Sequence, residues 1–515
     1  MENNTTANNK RIAKNTLFLY FRTLLTMLVS LYTARVVLST LGVEDYGIYN
    51  IVGGVILMFG FLNSSMSAAT SRFLTFELGS GNFEKLKKTF SAALTIHFII
   101  AGIILVLGET IGLWWLESKM IIPSEKMNIA RWVYQLSILS SMISITQVPY
   151  NATIIAHEKM GVYAYVEILN SFLKLGIVYL LVIFDFDKLI LYAVLVLCVT
   201  IIITTIYKVY CTKNYHESHY KFEWNRKIIK PMLNFSGWDL FLNLSFTFKT
   251  QGVNMILNLF FGVIINAAYG IAAQVQRLVN TFASNISTAV RPQIVKYYAA
   301  GEIKKMQDLV ISASKIIFLL IFLLIFPLII ENNFILNIWL KEIPDYAVIF
   351  CQLFLVASLM SMTNTPVKIA IQATGKIKKV SIINGIVFLL VLPISYFLFT
   401  VGFPPTVPMV TNIALYVIAL IINLVALKKL VPKFSLKAFV LKYCFIAITI
   451  AIITSILPLF IHFSMKEGLI RFLLVSGSFV VILFIMSYFI ALSNDMKQKL
   501  RQLIYNKLKL KKWKG

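Results

Sequence analysis

Long apolar runs, separated by short polar segments, follow one another along almost the whole chain. Each run is at least as long as the roughly 20 residues that an α-helix needs to cross a hydrocarbon layer of about 30 Å. Transmembrane β-strands alternate apolar and polar residues, so runs of this length exclude a β-barrel. The pattern predicts an all-α polytopic membrane protein with about 14 transmembrane helices. The predicted spans are 12–39, 47–69, 89–115, 130–155, 162–184, 188–210, 232–261, 266–290, 309–331, 346–373, 380–400, 407–427, 438–461 and 469–492.

Short phrases of the sequence recur at a nearly constant offset. LGVEDYGIYNIVGGV, from residue 41, is similar to FGVIINAAYGIAAQV, from residue 261, and the segment from 67 aligns with the segment from 287. At a slightly smaller offset, Pro149 matches Pro366 and Lys159 matches Lys376. The repeated unit holds six spans, an even number, so both copies face the same way in the membrane. They are expected to be related by a pseudo-twofold axis along the membrane normal.

The repeat divides the chain into five predicted regions. These are an N-terminal six-helix lobe (1–210), a cytoplasmic linker (211–231), a C-terminal six-helix lobe (232–430), two additional helices (431–492) and a basic cytoplasmic tail (493–515). The linker contains His216 and His219, but no third ligand accompanies them, so both are interpreted as solvated. Two parallel lobes around a central axis are typical of a transporter that works by alternating access.

Composition and charge support a membrane protein. The chain is 58% hydrophobic and 14% charged, whereas soluble domains are roughly a quarter charged. Of the Lys and Arg residues outside the spans, 33 lie on the amino-terminal side of the membrane and seven on the other side. The positive-inside rule therefore places both termini in the cytoplasm. The net charge of +26 reflects this topology and contact with anionic lipid headgroups, and no nucleic-acid partner is predicted.

No cofactor, metal or catalytic site is predicted from the sequence. The four cysteines are scattered without paired spacing. No Walker motif occurs, so ATP hydrolysis by this chain is not expected. The protein is therefore predicted not to be an enzyme.

Polar residues recur every three or four positions on spans 1, 2, 7 and 8, which gives each helix one polar stripe. Polar groups inside a membrane are unfavourable unless they face protein or water, so these stripes are predicted to line a central cavity. A single Ser or Thr can instead bond to its own helix backbone. The predicted lining residues are Thr26, Asn63, Ser64, Asp239, Asn243, Asn254, Asn280 and Ser284.

The deepest charged residues on these stripes are basic. Arg22, Arg277 and Lys249 predict an anionic cargo group, and guanidinium matches the oxygens of phosphate particularly well. The alternative is that each arginine pairs with an acid such as Asp239 to hold helices together. Three acids lie away from the span ends and are candidates for ion coupling: Glu109, Glu167 and Asp239. Glu167 and Lys174, seven residues apart on one helix face, could also form an internal pair.

Several motifs resemble one known family. They are KNTLFLYFRTLLTMLVSLYTARVVLSTLGVEDYGIYNIVGG, then RFLTFELGSGN, QVPYNATIIAHEKM and NAAYGIAAQV. The chain is similar to Wzx-type polysaccharide transporters, which belong to the multidrug/oligosaccharidyl-lipid/polysaccharide exporter superfamily. The resemblance implies a multi-pass flippase in the bacterial inner (cytoplasmic) membrane, carrying undecaprenyl-pyrophosphate-linked oligosaccharide to the outer leaflet. Its product would serve O-antigen of lipopolysaccharide, capsule or exopolysaccharide, together with a polysaccharide polymerase and other assembly proteins.

Two other functions compete with the flippase. A cation-coupled multidrug or metabolite exporter would share the fold, although carboxylates would then be expected deep in the cavity. A membrane glycosyltransferase or polymerase would need a sizeable outward loop with catalytic residues. The longest predicted outward segment is only about 331–345, which makes this class the less favoured one.

Overall fold

The structure is a computed structural model that describes residues 15–29, 32–33, 36–37, 40–41, 60–119, 124–183, 186–339 and 343–491. Within these helices, the side chains of residues 60–64, 119, 182, 258, 263, 266 and 267 lie outside the description. Three sequence features therefore fall outside it. They are most of the phrase 41–55, the two tails that were predicted to be cytoplasmic, and the side chains of Asn63 and Ser64.

All regular structure in the described residues is helical, which confirms the predicted all-α membrane fold. Nine of the described helical segments are long and apolar enough to cross a membrane. The helices are α1 (Asn15–Val29), α2 (Gly60–Ser80), α3 (Phe83–Leu107), α4 (Leu113–Lys119), α5 (Met127–Ala156), α6 (Met160–Ile183), α7 (Lys188–Asn214), α8 (Arg226–Ala299), α9 (Ile303–Ile330), α10 (Asn332–Trp339), α11 (Ala347–Thr363), α12 (Thr365–Ala373), α13 (Lys378–Leu389), α14 (Val391–Thr400), α15 (Val407–Leu430), α16 (Leu436–Phe439), α17 (Ile446–Ser464) and α18 (Leu469–Met486).

Some predicted spans correspond to more or less than one helix. Spans 7 and 8 both lie in α8, which changes direction at Gly262, where φ is 77° and ψ is −168°. Span 10 is divided into α11 and α12. Pro366 stands in the first turn of α12, the position where a proline removes no helical hydrogen bond.

The turns that follow α2 and α8 show the repeat in the backbone. Gly81 and Gly301 both have a positive φ, 75° and 73°. The N–H of Asn82 donates to the carbonyl of Glu77 (3.2 Å), and the N–H of Glu302 donates in the same way to the carbonyl of Tyr297 (2.9 Å). This six-to-one bond is the Schellman ending of a helix, which favours glycine at the left-handed position.

A second pair of turns repeats in the same manner. Glu158, after α5, has φ 59°, and Gly375, after α12, has φ 74°. They immediately precede Lys159 and Lys376, the residues that the sequence repeat had matched. Two independent pairs of equivalent left-handed turns support the predicted duplication of six helices.

The chain divides into two compact units. Unit 1 contains the residues up to Phe248 together with Asn285–Met306 and Ile369–Ile386; unit 2 contains Lys249–Ser284, Gln307–Lys368 and the residues from Val387 onward. The core of unit 1 is built around large side chains such as Phe90, Tyr134 and Tyr207, all 0% exposed. In unit 2, the ring of Phe479 on α18 stacks on Phe326 of α9 at 4.2 Å.

Candidate functional site

Arg22 of α1 lies in a polar cluster of unit 1. Its Nη2 donates to Asn285 Oδ1 at 3.3 Å and to Thr23 Oγ1 at 3.5 Å, and its guanidinium stands 4.9 Å from the centre of the Tyr163 ring. Asn285 also donates to Thr23, at 2.9 Å. Within the described part of the chain, no carboxylate lies within ion-pair distance of Arg22. The groups that it contacts directly in these bonds are therefore neutral.

Glu167 lies close to the same cluster. Its Oε1 accepts a hydrogen bond from the hydroxyl of Tyr207 at 3.1 Å, and Tyr207 is 0% exposed. The Tyr163 hydroxyl interacts with Arg22, and both Arg22 and Glu167 exert their charges on it. The structure thus brings a predicted cation and a predicted coupling acid around one tyrosine. Lys174, the suggested partner of Glu167, has an exposed side chain.

Asp239 is at the centre of a hydrogen-bonded network in unit 1. Its Oδ2 accepts from Asn243 at 3.1 Å and its Oδ1 accepts from Gln372 at 3.3 Å. Gln372 in turn accepts from Arg291 Nη1 at 2.8 Å, and the charges of Arg291 and Asp239 attract each other. Asn243 also donates to Ser65 at 3.1 Å. The arginine that accompanies Asp239 is therefore Arg291, which the sequence reasoning had not selected.

Arg72, in the C-terminal half of α2, contacts the end of α12. Its Nη2 donates to the carbonyl of Ala373 at 3.0 Å and its Nε donates to the carbonyl of Gln372 at 3.3 Å. Arg72 is 7% exposed and its guanidinium lies over the ring of Phe73 at 4.4 Å. Free carbonyls at a helix carboxyl end attract cations. This contact links the first half of the chain (the six spans before the linker) to the second half (the six spans after it).

The other half makes the matching contact. Lys296, near the end of α8, donates to Glu158 Oε1 at 2.8 Å, and Asn15 donates to the Glu158 carbonyl at 2.9 Å. In both places, a basic residue from the C-terminal half of α2 or α8 contacts the segment that forms the left-handed turn at Gly375 or Glu158 in the other half. We name these two contacts, Arg72 with Gln372–Ala373 and Lys296 with Glu158, the paired clasp.

Lys249, in unit 2, is enclosed by protein groups. Its Nζ donates to Asn412 Oδ1 at 3.0 Å and to the hydroxyl of Tyr416 at 3.2 Å. The ammonium also lies 5.2 Å from the centre of the Phe388 ring, and Lys249 is 4% exposed. Burial among an amide oxygen, a phenol and an aromatic face satisfies the ammonium within the protein.

The other predicted residues of unit 2 lie on α8. Arg277 and Ser284 are exposed, and the hydroxyl of Ser284 donates to the backbone carbonyl of Thr281 at 2.8 Å. Asn254 and Asn280 are half-buried. The backbone bond of Ser284 is the local interaction that the sequence analysis had kept as an alternative to cavity lining.

The two remaining predicted residues have local partners in unit 1. Thr26 donates to the carbonyl of Thr23 at 3.2 Å, again a bond to its own helix. Glu109 is half-buried in a π-helical turn, Gly108–Gly112, and accepts from Gln135 at 3.0 Å. Among the described residues, no three His, Cys, Asp or Glu side chains are grouped closely enough to hold a metal ion.

A buried ionic cluster in unit 2 was not anticipated. Glu331, which is 1% exposed, accepts from Arg471 Nη2 at 2.7 Å and from Arg471 Nε at 3.1 Å. The Nδ1 of His462 lies 2.8 Å from the other carboxylate oxygen. These residues fasten α17 and α18 to the end of α9. An acid at the end of a long apolar run was the only signal in the sequence.

No protein-family model matches this chain, and no curated protein matches it. Similar folds do occur among solved structures. A MATE transporter in the bent conformation aligns with a TM-score of 0.72 and 14% identity over 82% of this chain and 96% of that one. An outward-facing multidrug resistance MATE family transporter of the MOP superfamily gives 0.71 and 14% over 82% and 97%.

A third similar structure is a MOP superfamily transporter from Pyrococcus furiosus, described as having a binding pocket of reverse polarity that suggests a different function. Its TM-score is 0.68, with 14% identity over 82% of this chain and 96% of that chain. At this identity the three alignments establish the fold alone. The chain has the fold of these MATE structures.

Proposed function

We propose that the protein is an alternating-access exporter that moves a pyrophosphate-linked, lipid-anchored oligosaccharide from the inner to the outer leaflet of the bacterial cytoplasmic membrane. The MATE-like fold supports the broader part of this proposal, a membrane exporter. The narrower part, the cargo, rests on the chemistry of the chain's own residues and on its resemblance to Wzx-type flippases.

The observation that carries the cargo assignment is the environment of Arg22. A guanidinium inside a predicted span whose direct hydrogen-bond partners are neutral is stabilised further when an anion binds it. Arg22 has five donor hydrogens in a planar fork, so the bonds to Asn285 and Thr23 leave further donors for phosphate oxygens. Arg277, with its exposed side chain, is the second proposed ligand. Lys249 is assigned a weaker role, because its ammonium is already bound by Asn412 and Tyr416.

The charge of such a cargo also supplies a driving force. A membrane potential that is negative inside favours outward movement of an anion by about 2.3 kcal/mol per charge per 100 mV. A pyrophosphate dianion therefore moves downhill electrically in the proposed direction. Ion coupling would add to this force, and Glu167 is the candidate closest to the Arg22 cluster, whereas Glu109 and Asp239 have other partners.

The paired clasp fits a conformational role. Both of its contacts join helix ends that are predicted to be cytoplasmic, and both connect the two halves. Opening toward the cytoplasm would require the clasp and the Asp239 network to separate, and closing would restore them. With both termini proposed to be cytoplasmic, the clasp would control access from the leaflet where the cargo is made.

A second candidate function is multidrug or metabolite export coupled to a cation. Two of the similar solved structures favour it, because they are MATE transporters and one of them is described as a multidrug resistance transporter. The low identity leaves the cargo open, and the same fold would serve either function. The two candidates differ in the charge that their cargo carries.

Reconstitution of the purified protein into liposomes distinguishes the two. For the flippase, a fluorescent undecaprenyl-pyrophosphate oligosaccharide should become accessible to a membrane-impermeant quencher faster than in protein-free liposomes. For the multidrug exporter, an organic cation should instead be transported against its gradient when a proton or sodium gradient is applied. Transport of the cation without movement of the lipid-linked sugar would overturn the proposed cargo. Genes for a polymerase and sugar transferases beside this gene would support the proposed partners.

A further inference from the structure

The polar segment between the two halves does not lie free in water. We call residues 215–225 the strap. At its start, the ring of Tyr215 stacks on His157 at 4.1 Å, and Glu217 Oε1 lies 2.5 Å from His157 Nε2. Glu217 and Ser218 are 8% and 0% exposed. Burial alone would raise the pKa of Glu217, but the hydrogen bond and charge of His157 lower it below its usual value.

The strap then runs along the side of α3. The N–H of Lys221 donates to Ser91 Oγ at 3.3 Å, and the hydroxyls of Tyr220 and Thr95 are 3.3 Å apart. The Tyr220 ring also meets the ring of Phe98 edge to face at 5.8 Å. The strap is therefore fixed to a helix that is long and apolar enough to cross the membrane.

The predicted third span places these contacts near the edge of the membrane. The third predicted span begins at residue 89, so Thr95 lies about 9 Å further along the helix axis at 1.5 Å per residue. Beside it, Phe98 and Ile99 are 49% and 44% exposed, as is expected of side chains that face lipid. The strap therefore continues a surface that already contacts the bilayer.

The strap itself exposes aromatic residues at every second position. Tyr220, Phe222 and Trp224 are 41%, 68% and 62% exposed. Large exposed aromatic rings are unfavourable in water, and tyrosine and tryptophan concentrate where hydrocarbon meets headgroups. The histidines of the linker, His216 and His219, are exposed as well.

Basic side chains flank these aromatic rings. Four exposed cations, Lys221, Arg226, Lys227 and Lys230, are accompanied by one acid, Glu223. Between the cations, at the start of α8, Ile228 and Ile229 are buried against α3 in a shared apolar cluster. At the start of α8, apolar side chains therefore face the protein and cationic side chains are exposed. Anionic phospholipid headgroups complement this arrangement, since basic clusters beside a membrane span attract them.

We propose that the strap and the first turn of α8 form a binding surface for anionic phospholipid headgroups, with the aromatic rings of the strap inserted among the lipids. The surface would anchor the connection between the two halves to one leaflet. This binding is independent of what the protein transports, so it can be tested whether or not the proposed cargo is correct.

The test uses the full-length protein in liposomes that contain lipids with a shallow nitroxide quencher. Subtracting the tryptophan fluorescence of Trp224→Phe from that of the wild type isolates Trp224, one of seven tryptophans. We expect Trp224 to be quenched by the lipids. In mixed bilayers, we expect the quenching to be several-fold stronger when phosphatidylglycerol carries the nitroxide than when phosphatidylcholine carries it.

A matched pair of variants tests the role of charge. The variant with Lys221, Arg226, Lys227 and Lys230 replaced by Gln should lose the preference for phosphatidylglycerol while Trp224 stays quenched. The control carries the same loss of charge at other exposed lysines, with Lys428, Lys429, Lys433 and Lys437 replaced by Gln, and should keep the preference. Quenching by aqueous acrylamide but not by the lipids would overturn the proposal. So would equal quenching by the two labelled lipids in the wild type, or loss of the preference in the control.

Discussion

Lys296 and Glu158 form an ion pair between the two halves of the chain, with 2.8 Å between Nζ and Oε1 and the carboxylate side chain 0% exposed. The turn of Glu158 is the repeat equivalent of the turn at Gly375, which Arg72 holds from the opposite half. In a twofold arrangement, a contact between two elements recurs with the partners exchanged. The paired clasp resembles such a reciprocal contact, although Arg72 and Lys296 do not align in the repeat and one binds backbone carbonyls while the other binds a carboxylate.

The first prediction concerns the strength of the clasp. A hydrogen bond to a charged group stabilises the state that contains it by about 1.5–3 kcal/mol. Removing one such bond from the clasp should therefore shift the equilibrium between the closed and separated helix ends roughly 10- to 150-fold. Lys296→Glu places two carboxylates together and should favour separation of the helix ends. Spin labels on Ser80→Cys and Lys376→Cys, both exposed and both in unit 1, should then report a second, longer distance.

The clasp prediction has an internal control. Exchanging the charges, with Lys296→Glu and Glu158→Lys together, should restore the single short distance. Lys305→Gln removes a cation that pairs with Glu302 in its own half at 2.7 Å, and it should leave the distance unchanged. A Lys296→Glu protein with the distance distribution of the wild type would show that the ion pair does not hold the halves together.

A second prediction uses Gly79, which allows α2 to approach α8 closely. A Cβ at this position would lie 2.8 Å from the Cα of Lys296, a backbone atom that cannot rotate away. Gly79→Ala should therefore displace α2 from α8 and lengthen the distance between the same two spin labels. Gly102→Ala, where a Cβ would meet nothing within 4 Å, is the control and should have no effect. Identical distances in both variants would contradict the close contact.

The sequence was informative where the signal is local or repeated. Equal offsets predicted the duplicated helices, and the left-handed turns at Gly81 and Gly301 follow from that repeat together with the need for glycine at a positive φ. The spacing of four residues also placed Asp239 and Asn243 on one helix face, and they are hydrogen-bonded at 3.1 Å.

Contacts between distant segments were beyond this reasoning. Arg72 binds backbone carbonyls about 300 residues away. Because every residue has such a carbonyl, the sequence does not indicate which one a side chain will bind. Periodicity put Lys249 on a polar stripe but could not reveal that Asn412 and Tyr416 of α15 would enclose its ammonium. The same spacing put Arg291 on the polar stripe of span 8 but could not show that it completes the network around Asp239 through Gln372.

The third prediction concerns topology. The excess of basic residues on one side places the segment around Ser118 outside the cell and the turn between α8 and α9 inside. In a cysteine-free background, Ser118→Cys should react with a membrane-impermeant maleimide in intact cells, whereas Lys304→Cys should react only after permeabilisation. Both side chains are exposed, so access should depend on the side of the membrane. The reverse labelling pattern would overturn the orientation.

The fourth prediction concerns the buried Glu331. Removing one partner of a buried ion pair leaves an uncompensated charge and costs about 3–5 kcal/mol. Arg471→Met should therefore lower the thermal unfolding temperature of the detergent-purified protein and loosen α17 and α18 from α9. The double variant Arg471→Met/Glu331→Gln removes both charges and should regain much of the loss. Arg131→Met, which breaks the exposed pair with Glu117, should change stability little. If Arg471→Met were as stable as the wild type, the cluster would not fasten these helices.

The last prediction concerns Arg22 and the proposed cargo. Arg22→Ala removes the charge that would bind pyrophosphate. A hydrogen bond to a charged group contributes about 1.5–3 kcal/mol to binding, so its loss should slow transport roughly 10- to 150-fold. Arg22→Lys should recover part of the rate, since it restores the charge but not the planar fork. Movement of the lipid-linked sugar in liposomes measures the rate. Lys174→Ala, which removes an exposed cation from the same half, should leave it unchanged.

A structural role for Arg22 leads to a different set of results. If Arg22 only joined α1 to Asn285 of α8, then Asn285→Leu would break the same contact and should reproduce the defect of Arg22→Ala in both thermal stability and abundance. If Arg22 binds the cargo, the Arg22→Ala variant should instead fold normally and lose transport. The Asn285→Leu variant should be less stable but should still transport, because it retains the guanidinium of Arg22. Adding pyrophosphate should then raise the unfolding temperature of the wild type and not that of Arg22→Ala. Full transport by Arg22→Ala would exclude this residue as a ligand of the cargo.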